Sequence, residues 1–216
     1  MKSLILFDID GTLTKTSEEH KNSFSSAFKK IHNLEVSIDI IDYHGKTDQL
    51  IIKEVLIKKG LKKDFKLKEC MDEMISFVKK HKINIKLIKG VKKLIYKLEK
   101  ENILGLVTGN LEQIAIKKLN QVEIYNYFKV GAFGSDAFKR SDLIKIAIKR
   151  AKEKFNFEGK VFVIGDTPND IIAGKEANVK TIAVATGIYS INELKKHNPD
   201  YVFENLNNDE VISIFS

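Results

Sequence analysis

The sequence is poor in the residues that build cross-links, rigid turns and membrane spans. It has a single cysteine, Cys70, so it can form neither an internal disulfide nor a cysteine-based zinc site. Only 2 prolines interrupt it, and no apolar run approaches the roughly 18 residues of a membrane span. The first apolar run ends at Asp8, which makes it too short for a signal peptide. We therefore expect a cytoplasmic protein that does not enter a membrane.

Arginine is almost absent, although the net charge of the chain is +8. Only Arg140 and Arg150 are arginines, and the lysines are spread along the whole sequence instead of forming one basic cluster. A nucleic-acid-binding surface usually combines clustered arginines with aromatic side chains. The composition therefore indicates a well-solvated surface and no nucleic-acid partner, although a positive field would attract anionic substrates.

The sequence does contain a regular alternation of apolar runs and helical patterns. Continuous runs of strand length, typical of a parallel sheet buried on both faces, cover residues 3–7, 103–107, 160–164 and 180–185, with a weaker one at 129–133. Helix-period patterns lie between them, at 90–101, 111–120, 141–154 and 168–177. This alternation predicts an α/β fold with a doubly wound parallel sheet.

One long segment, residues 15–85, has no strand-like run. It carries three helix-period stretches separated by turn-forming residues, at 17–32, 47–60 and 66–81. We therefore expect two domains. Residues 1–14 and 86–216 would form the α/β core, and residues 15–85 would form a helical domain inserted after the first strand.

Polar residues follow the apolar runs at the sheet edge where open α/β folds bind ligands. They are Asp8 and Asp10 after the run at 3–7, Thr108, Gly109 and Asn110 after the run at 103–107, and Asp166 and Asp170 after the run at 160–164. Such residues also cap helices and form turns, and that explanation would suffice for any one of them alone. Because all of them fall at one edge, we expect a binding site there.

Two carboxylates separated by one residue repel each other unless a cation lies between them. Asp8 and Asp10 have this spacing, and Asp166 from a neighbouring strand would complete an oxygen-rich site. Magnesium binds one or two protein carboxylates and keeps positions for water and phosphate oxygens. Gly11 would let main-chain N–H groups approach a phosphate closely. The pattern therefore predicts a Mg²⁺ site beside a phosphate site.

Four ordered motifs resemble those of the haloacid dehalogenase superfamily. They are DIDGT at 8–12, VTGN at 107–110, the basic residue of KRSDL at 139–143, and GDTPND at 165–170. The tail at 183–206 is similar to that of the phosphoglycolate-phosphatase-like members. The resemblance spans nearly the whole chain outside the insertion, which sits where the family carries a helical cap. It implies a Rossmann-like core with an inserted α-helical cap and a Mg²⁺-dependent phosphatase acting on a small phosphorylated metabolite.

The resemblance also implies roles for individual residues. Asp8 would be the nucleophile that forms an aspartyl-phosphate, and Asp10 would be the general acid and then the base. Asp8, Asp166 and the backbone carbonyl of Asp10 would bind the metal, and Asp170 would orient these ligands. The phosphate would be held by Gly11, Thr12, Thr108, Gly109 and Asn110.

The basic residue of the third motif departs from the family pattern, and a second basic residue, in the inserted segment, resembles a substrate-reading element of the cap. Many relatives have a lysine before a proline in the third motif, whereas this chain offers Lys139 and Arg140 without the proline. Arg140 is the stronger candidate because a guanidinium can bridge a phosphate oxygen and a carboxylate, although it could also cap the following helix. The loop YHGKTDQ at 43–49 resembles a cap element that reads the substrate, which would bring Lys46, and less strongly His44, near the leaving group.

Several alternatives remain open from the sequence. A phosphomutase of the β-phosphoglucomutase type would share the scaffold and the acid, but its relatives usually carry an apolar residue where Thr12 stands. A phospho-receiver signalling domain also pairs acidic residues around magnesium, but it is much shorter and lacks the inserted helices. A two-carbon acid, a sugar phosphate or a nucleotide could each be the substrate, and the chain could be a monomer or a homodimer.

Overall fold

The computed structural model describes residues 2–207 and 209–215. Within this part of the chain, six parallel strands form one sheet in the order β3-β2-β1-β4-β5-β6. The strands are β1 (Leu4–Phe7), β2 (Ile103–Val107), β3 (Val130–Ala132), β4 (Val161–Gly165), β5 (Lys180–Val184) and β6 (Tyr201–Phe203). The prediction of a doubly wound α/β fold is confirmed, and β6 is a strand that the apolar pattern did not predict.

The sheet register brings the strand ends together at one edge. Phe7, the last residue of β1, pairs with Leu106 of β2 and with Ile164 of β4. The three central strands therefore end within one residue of each other. Asp8, Thr108 and Asp166 follow β1, β2 and β4 directly, so the chain turns out of the sheet with all three at its carboxyl edge.

Helices cover both faces of the sheet. They are α4 (Val91–Leu98), α5 (Glu112–Gln121), α6 (Arg140–Phe155), α7 (Pro168–Glu176), α8 (Ile191–Lys195) and α9 (Asp209–Ser213). Successive residues of a strand face opposite sides, so Leu4 and Leu6 join the buried cluster under α6 and α7, while Phe7 packs on the other side with α4 and α5. Both faces of β1 are fully buried, which explains its continuous apolar run.

The insertion at residues 15–85 folds into three helices, α1 (Glu18–His32), α2 (Asp48–Lys58) and α3 (Leu67–Lys80). They bury a separate apolar cluster that includes Phe24, Phe28, Ile52 and Met74 and extends onto α5. The chain leaves and re-enters the sheet through adjacent segments, because Thr14 forms a bridge with Leu87. The division into two domains, with its boundaries, stays a prediction. None of the helices in the described ranges has the length and apolar character needed to cross a bilayer.

Candidate active site

A cavity of about 160 Å³ lies between the carboxyl edge of the sheet and the insertion. Its sheet side is lined by residues that the sequence singled out, among them Asp8, Asp10, Asn110, Arg140 and Asp166. Its other side is lined by residues of the insertion, among them Glu18, Lys21, Phe24, Tyr43, His44 and Lys46. Most of the predicted site residues therefore meet around one enclosed space.

Three buried carboxylates form a compact acidic cluster in this site. One oxygen each of Asp8, Asp166 and Asp170 lies within 4.8 Å of the others, an arrangement that could hold a metal ion. The hydroxyl of Thr12 donates to Asp166 Oδ1 at 2.9 Å. Gly11 is needed beside it, because its φ of +85° favours glycine and a Cβ there would lie 2.2 Å from Asp166 Oδ2. The DGT turn thus closes tightly over the acidic cluster.

Arg140 is the positive charge that contacts this cluster. Its Nη2 lies 2.7 Å from Asp8 Oδ1 and 2.6 Å from Asp170 Oδ1. The other Asp170 oxygen accepts hydrogen bonds from the backbone N–H and the hydroxyl of Thr167 at the start of α7. Lys139 is exposed, so of the two third-motif candidates only Arg140 enters the site. Arg140 is also the first residue of α6, yet its guanidinium points to the carboxylates.

The acidic cluster carries more negative charge than its surroundings compensate. Burial raises the pKa of Asp8 to about 6, although the Arg140 guanidinium acts against this shift. The pKa of Asp166 lies well above its usual value, because burial and the charges of Asp8 and Asp170 oppose its ionisation. A divalent cation among the three carboxylates would offset this cost. The all-oxygen donor set fits a hard ion such as Mg²⁺.

The Asp10 carboxylate lies outside this cluster, in contrast to the expectation that it would join Asp8 and Asp166. It accepts hydrogen bonds from Lys118 Nζ at 2.8 and 2.6 Å and from Asn110 Nδ2 at 2.8 Å. Burial alone would raise the pKa of Asp10, but the charges of Lys118 and His20 and these hydrogen bonds hold it below its usual value. Asp170 takes the third place in the acidic cluster, and Asp10 is left as a separately held carboxylate.

Three residues that sequence reasoning missed support Asp10. The Lys118 ammonium also contacts His20 Nδ1 at 3.0 Å, and His20 Nε2 lies 3.0 Å from Asp48 Oδ2. Asp48 in turn accepts the backbone N–H of Leu111 at 2.8 Å. A sequence signal for Lys118 exists, because it shares the helical phase of the buried residues Ile114, Ala115 and Leu119 on α5. In a lysine-rich chain that signal is easily overlooked.

The loop after β2 meets the loop before α2 in direct backbone contact. Asp48 N donates to Gly109 O at 2.8 Å, and a Cβ on Gly109 would lie 2.1 Å from Lys46 O. Thr108 is fully buried, and its hydroxyl accepts the backbone N–H of Asn110 at 3.3 Å. The expected phosphate-binding residues 108–110 therefore lie under the GKTD loop. We expected the Thr12 hydroxyl to hold the phosphate, but it donates a hydrogen bond to Asp166 instead.

The expected substrate-reading residues of the insertion also line the cavity. Lys46 Nζ pairs with Glu54 at 2.6 Å, and the Lys46 side chain keeps 24% of its surface exposed. His44 stacks on Tyr43 and meets Tyr189 edge-on, while its carbonyl accepts a hydrogen bond from Asn169. Lys46 is thus available to the cavity, but it already has an anionic partner.

A comparison with known families decides the class of this site. The model of the haloacid dehalogenase-like hydrolases matches residues 5–184. The chain belongs to this family. The prediction of an enzyme, a hydrolase of the haloacid dehalogenase superfamily, is therefore confirmed.

Among individual relatives, a pyrophosphatase from Oceanobacillus iheyensis is 28% identical over 210 residues, which cover 94% of this chain and 92% of that protein. A phosphoglycolate phosphatase from Vibrio parahaemolyticus is 27% identical over 213 residues, with 94% and 92% covered. The names of both relatives support the phosphatase class that the motifs predicted for this haloacid dehalogenase-like hydrolase.

Solved structures agree with the fold. A hydrolase from Pseudomonas syringae superposes with a TM-score of 0.75 at 21% identity, covering all of both chains. A haloacid dehalogenase-like hydrolase from Streptococcus pneumoniae gives a TM-score of 0.67 at 22% identity, covering 100% of this chain and 99% of that one. At this identity the likeness establishes the fold alone.

Proposed function

We propose that this protein is a Mg²⁺-dependent phosphatase that hydrolyses small phosphate monoesters through an aspartyl-phosphate on Asp8, in the manner of phosphoglycolate phosphatases. The main support for this proposal is that the carboxylates of Asp8 and Asp10 lie in two different environments. Asp8 lies in an acidic cluster beside Arg140, whereas Asp10 is held apart by Lys118 at the same cavity. Carboxyl groups in different environments can take different roles in one reaction.

The proposed metal ligands are Asp8, Asp166 and the backbone carbonyl of Asp10, with Asp170 as the third carboxylate of the cluster. The proposal is supported by the uncompensated charge of these groups and by their all-oxygen donor set. When bound, Mg²⁺ would offset the negative charge that the phosphate and the carboxylates bring together in the site.

In the first proposed step, a carboxylate oxygen of Asp8 forms a bond to phosphorus and the bond to the leaving alcohol breaks. Asp10, in the protonated form that Lys118 disfavours, would give its proton to the departing oxygen. Arg140 keeps Asp8 in place through their ion pair and is well situated to bind a phosphate oxygen. Residues 108–110 and the DGT turn would hold the remaining phosphate oxygens.

In the second proposed step, a water oxygen forms a bond to phosphorus and the bond between phosphorus and the Asp8 oxygen breaks. The electron pair of that bond returns to the Asp8 carboxylate. Asp10 takes the water proton. Inorganic phosphate is released, and the chain returns to its starting state.

We also propose that residues 15–85 act as a cap domain on a core of residues 1–14 and 86–216. Support comes from the separate apolar cluster of the insertion and from its side chains in the cavity wall. A cap over the phosphate would exclude bulk water and select the leaving group.

The test of the proposed function is a screen of phosphate esters in the presence of Mg²⁺. We expect turnover of small monoesters, including phosphoglycolate and sugar phosphates, with release of inorganic phosphate. Inorganic pyrophosphate belongs in the same screen because one relative is a pyrophosphatase. A product with the phosphate moved to another hydroxyl of the sugar would instead indicate a mutase, and no turnover of any ester would contradict the proposal.

We expect Lys46→Ala to impair the hydrolysis of substrates whose leaving group is itself anionic. Lys46 would exchange its contact with Glu54 for the second anionic group of such a substrate. The expected loss is about 1.5–3 kcal/mol, the range for a charge-assisted hydrogen bond, measured as kcat/KM on phosphoglycolate. A small neutral ester should be hydrolysed nearly as before.

The matched control for this variant is Lys53→Ala. Lys53 lies on α2, shortly after Lys46 in the sequence, but its ammonium sits over the Phe138 ring, 5.7 Å from the ring centroid, and it does not line the cavity. It should leave both substrates unaffected. Equal losses on both substrates for Lys46→Ala would mean that Lys46 serves folding or closure and not specificity.

A further inference from the structure

Lys118 is a fully buried lysine beside the proposed catalytic centre. Its ammonium donates to both Asp10 oxygens, at 2.8 and 2.6 Å, and to Asn110 Oδ1 at 2.6 Å. Its remaining contact is His20 Nδ1 at 3.0 Å. A lysine has three N–H donors, and the four atoms within hydrogen-bond distance are enough to pair all of them. Burying an ammonium is costly, so this degree of saturation is what lets the charge persist.

The contacts hold Asp10 from two directions. Lys118 grips both carboxylate oxygens, and Asn110 Nδ2 donates to one of them at 2.8 Å. Asn110 itself is oriented by Lys118, because its side-chain oxygen accepts from the same ammonium. The Asp10 carboxylate therefore has one strongly preferred orientation, at the cavity that it shares with Asp8.

The far side of Lys118 is anchored in the insertion. His20 Nδ1 lies 3.0 Å from the ammonium, and His20 Nε2 lies 3.0 Å from Asp48 Oδ2. Asp48 also accepts the backbone N–H of Leu111, which directly precedes α5. The chain of contacts from Asp10 thus runs through Lys118 and His20 and returns to the helix that carries Lys118. These contacts restrict the position of the Lys118 ammonium, and the ammonium in turn restricts the position of the Asp10 carboxylate.

We propose that Lys118 is a positioning residue for the second step of the reaction, in which it aims the Asp10 carboxylate at the water that attacks phosphorylated Asp8. This inference rests on the proposed function. The proton leaves the water for Asp10 as the oxygen bonds to phosphorus, and the electron pair of the phosphorus–oxygen bond returns to Asp8. Without Lys118, the Asp10 carboxylate loses its fixed direction, and it also loses the charge that does most to lower its pKa.

A structural role is the competing explanation, since Lys118 packs on the buried face of α5 with Ile114 and Leu119. Buried ion pairs are often no more stabilising than apolar side chains of similar volume. Lys118→Met preserves the length and most of the volume of the side chain and removes the ammonium. The variant therefore separates packing from positioning.

The experiment follows p-nitrophenyl phosphate hydrolysis with Mg²⁺ in a rapid-quench instrument. The p-nitrophenolate leaves without a proton, so the first step does not depend on Asp10. For Lys118→Met we expect a burst of product close to one equivalent of enzyme, then a steady rate about a hundredfold below wild type, the scale of lost general-base catalysis. The acid-quenched phosphoenzyme should rise to most of the enzyme. A parallel fall of burst and steady rate in a variant that keeps the wild-type melting temperature would overturn the inference.

Two control variants make the outcome specific. Lys117→Met removes the neighbouring lysine of α5, whose ammonium donates to the backbone carbonyls of Val78, Lys79 and His81. It should keep the wild-type ratio of burst to steady rate. Asp10→Asn should accumulate phosphoenzyme as Lys118→Met does. Accumulation in Asp10→Asn but not in Lys118→Met would overturn only the positioning role, whereas the absence of phosphoenzyme in every variant would overturn the proposed covalent mechanism.

His20→Phe serves if Lys118→Met fails to fold. The phenyl ring can keep the contact of His20 with Phe24, whose ring centroid lies 5.4 Å away, while both nitrogens are removed. Lys118 then keeps Asp10 and Asn110 but loses its anchor in the insertion. We expect phosphoenzyme to accumulate with a steady rate about tenfold below wild type. An unchanged ratio of burst to steady rate would overturn the positioning role of Lys118.

Discussion

Asp8→Asn should remove the phosphatase activity almost completely and leave no acid-stable phosphoenzyme. The carboxamide keeps the shape of the side chain but is a very poor nucleophile, so no bond to phosphorus forms. The loss of turnover should be about a thousandfold or more, as for other enzymes that lose their nucleophile. The measurement is acid quenching during turnover of a radiolabelled ester. A labelled Asp8→Asn protein would refute the assignment of the nucleophile.

The stability of the same variant separates chemistry from folding. Asp8 is buried beside Asp170 and near Asp10, and burial together with their charges makes its ionised form unfavourable, as its raised pKa indicates. Replacing it with a neutral amide relieves that repulsion, although Arg140 then keeps only Asp170 as a charged partner. We therefore expect a melting temperature equal to or above that of the wild type without metal. A large fall would mean that inactivity reflects unfolding.

Removal of divalent metal should abolish turnover, and Mg²⁺ should restore it. The three clustered carboxylates leave excess negative charge exactly where an anionic phosphate must bind, so the empty cluster repels its substrate. Activity measured in excess EDTA and after Mg²⁺ is added back checks this expectation. Calcium should inhibit, because its larger coordination number would engage both oxygens of Asp8 and hold them away from phosphorus. Full activity in EDTA would contradict the metal requirement.

A variant of a proposed ligand sharpens this test. Asp166→Asn keeps an oxygen that can accept from the Thr12 hydroxyl but removes one charge from the cluster. The Mg²⁺ concentration that gives half-maximal activity should rise about tenfold or more. Asp136→Asn is the matched control, because Asp136 pairs with Arg150 outside the acidic cluster. It should leave the Mg²⁺ requirement unchanged.

The fold was largely predictable because its signals are local and strong. A buried parallel strand must be apolar on both faces, and β1 and β2 therefore stand out as short continuous runs. The strand β6 did not stand out, because it has three residues, lies at the sheet edge and begins with the exposed Tyr201. An edge strand of this kind has neither the length nor the burial that a sequence pattern can register.

The site was predictable where a residue's place follows from the end of a strand. Asp8 and Asp166 fall into this class, and their approach requires only the parallel register. The direction of the Asp10 side chain does not follow from that register, because it depends on a lysine more than one hundred residues away. The contacts of Lys118 likewise depend on where α1 places His20 relative to α5, which is a tertiary property without a local pattern. Motifs therefore identified the carboxylates at the strand ends but not the side chains that hold Asp10.

Both arginines of the chain use the planar fork of the guanidinium. Arg140 contacts Asp8 and Asp170 through Nη2 and donates from Nη1 to Gly45 O at 3.4 Å, while Arg150 binds both oxygens of Asp136 at 2.9 and 3.0 Å and also donates to Gly131 O. Lysine offers the same charge from a single point, so it cannot replace either residue without losing a contact. Among the 37 basic residues of the chain, the two arginines therefore stand where one cation makes several directed contacts. The rare use of arginine thus marks positions where the direction of the contacts matters as well as the charge.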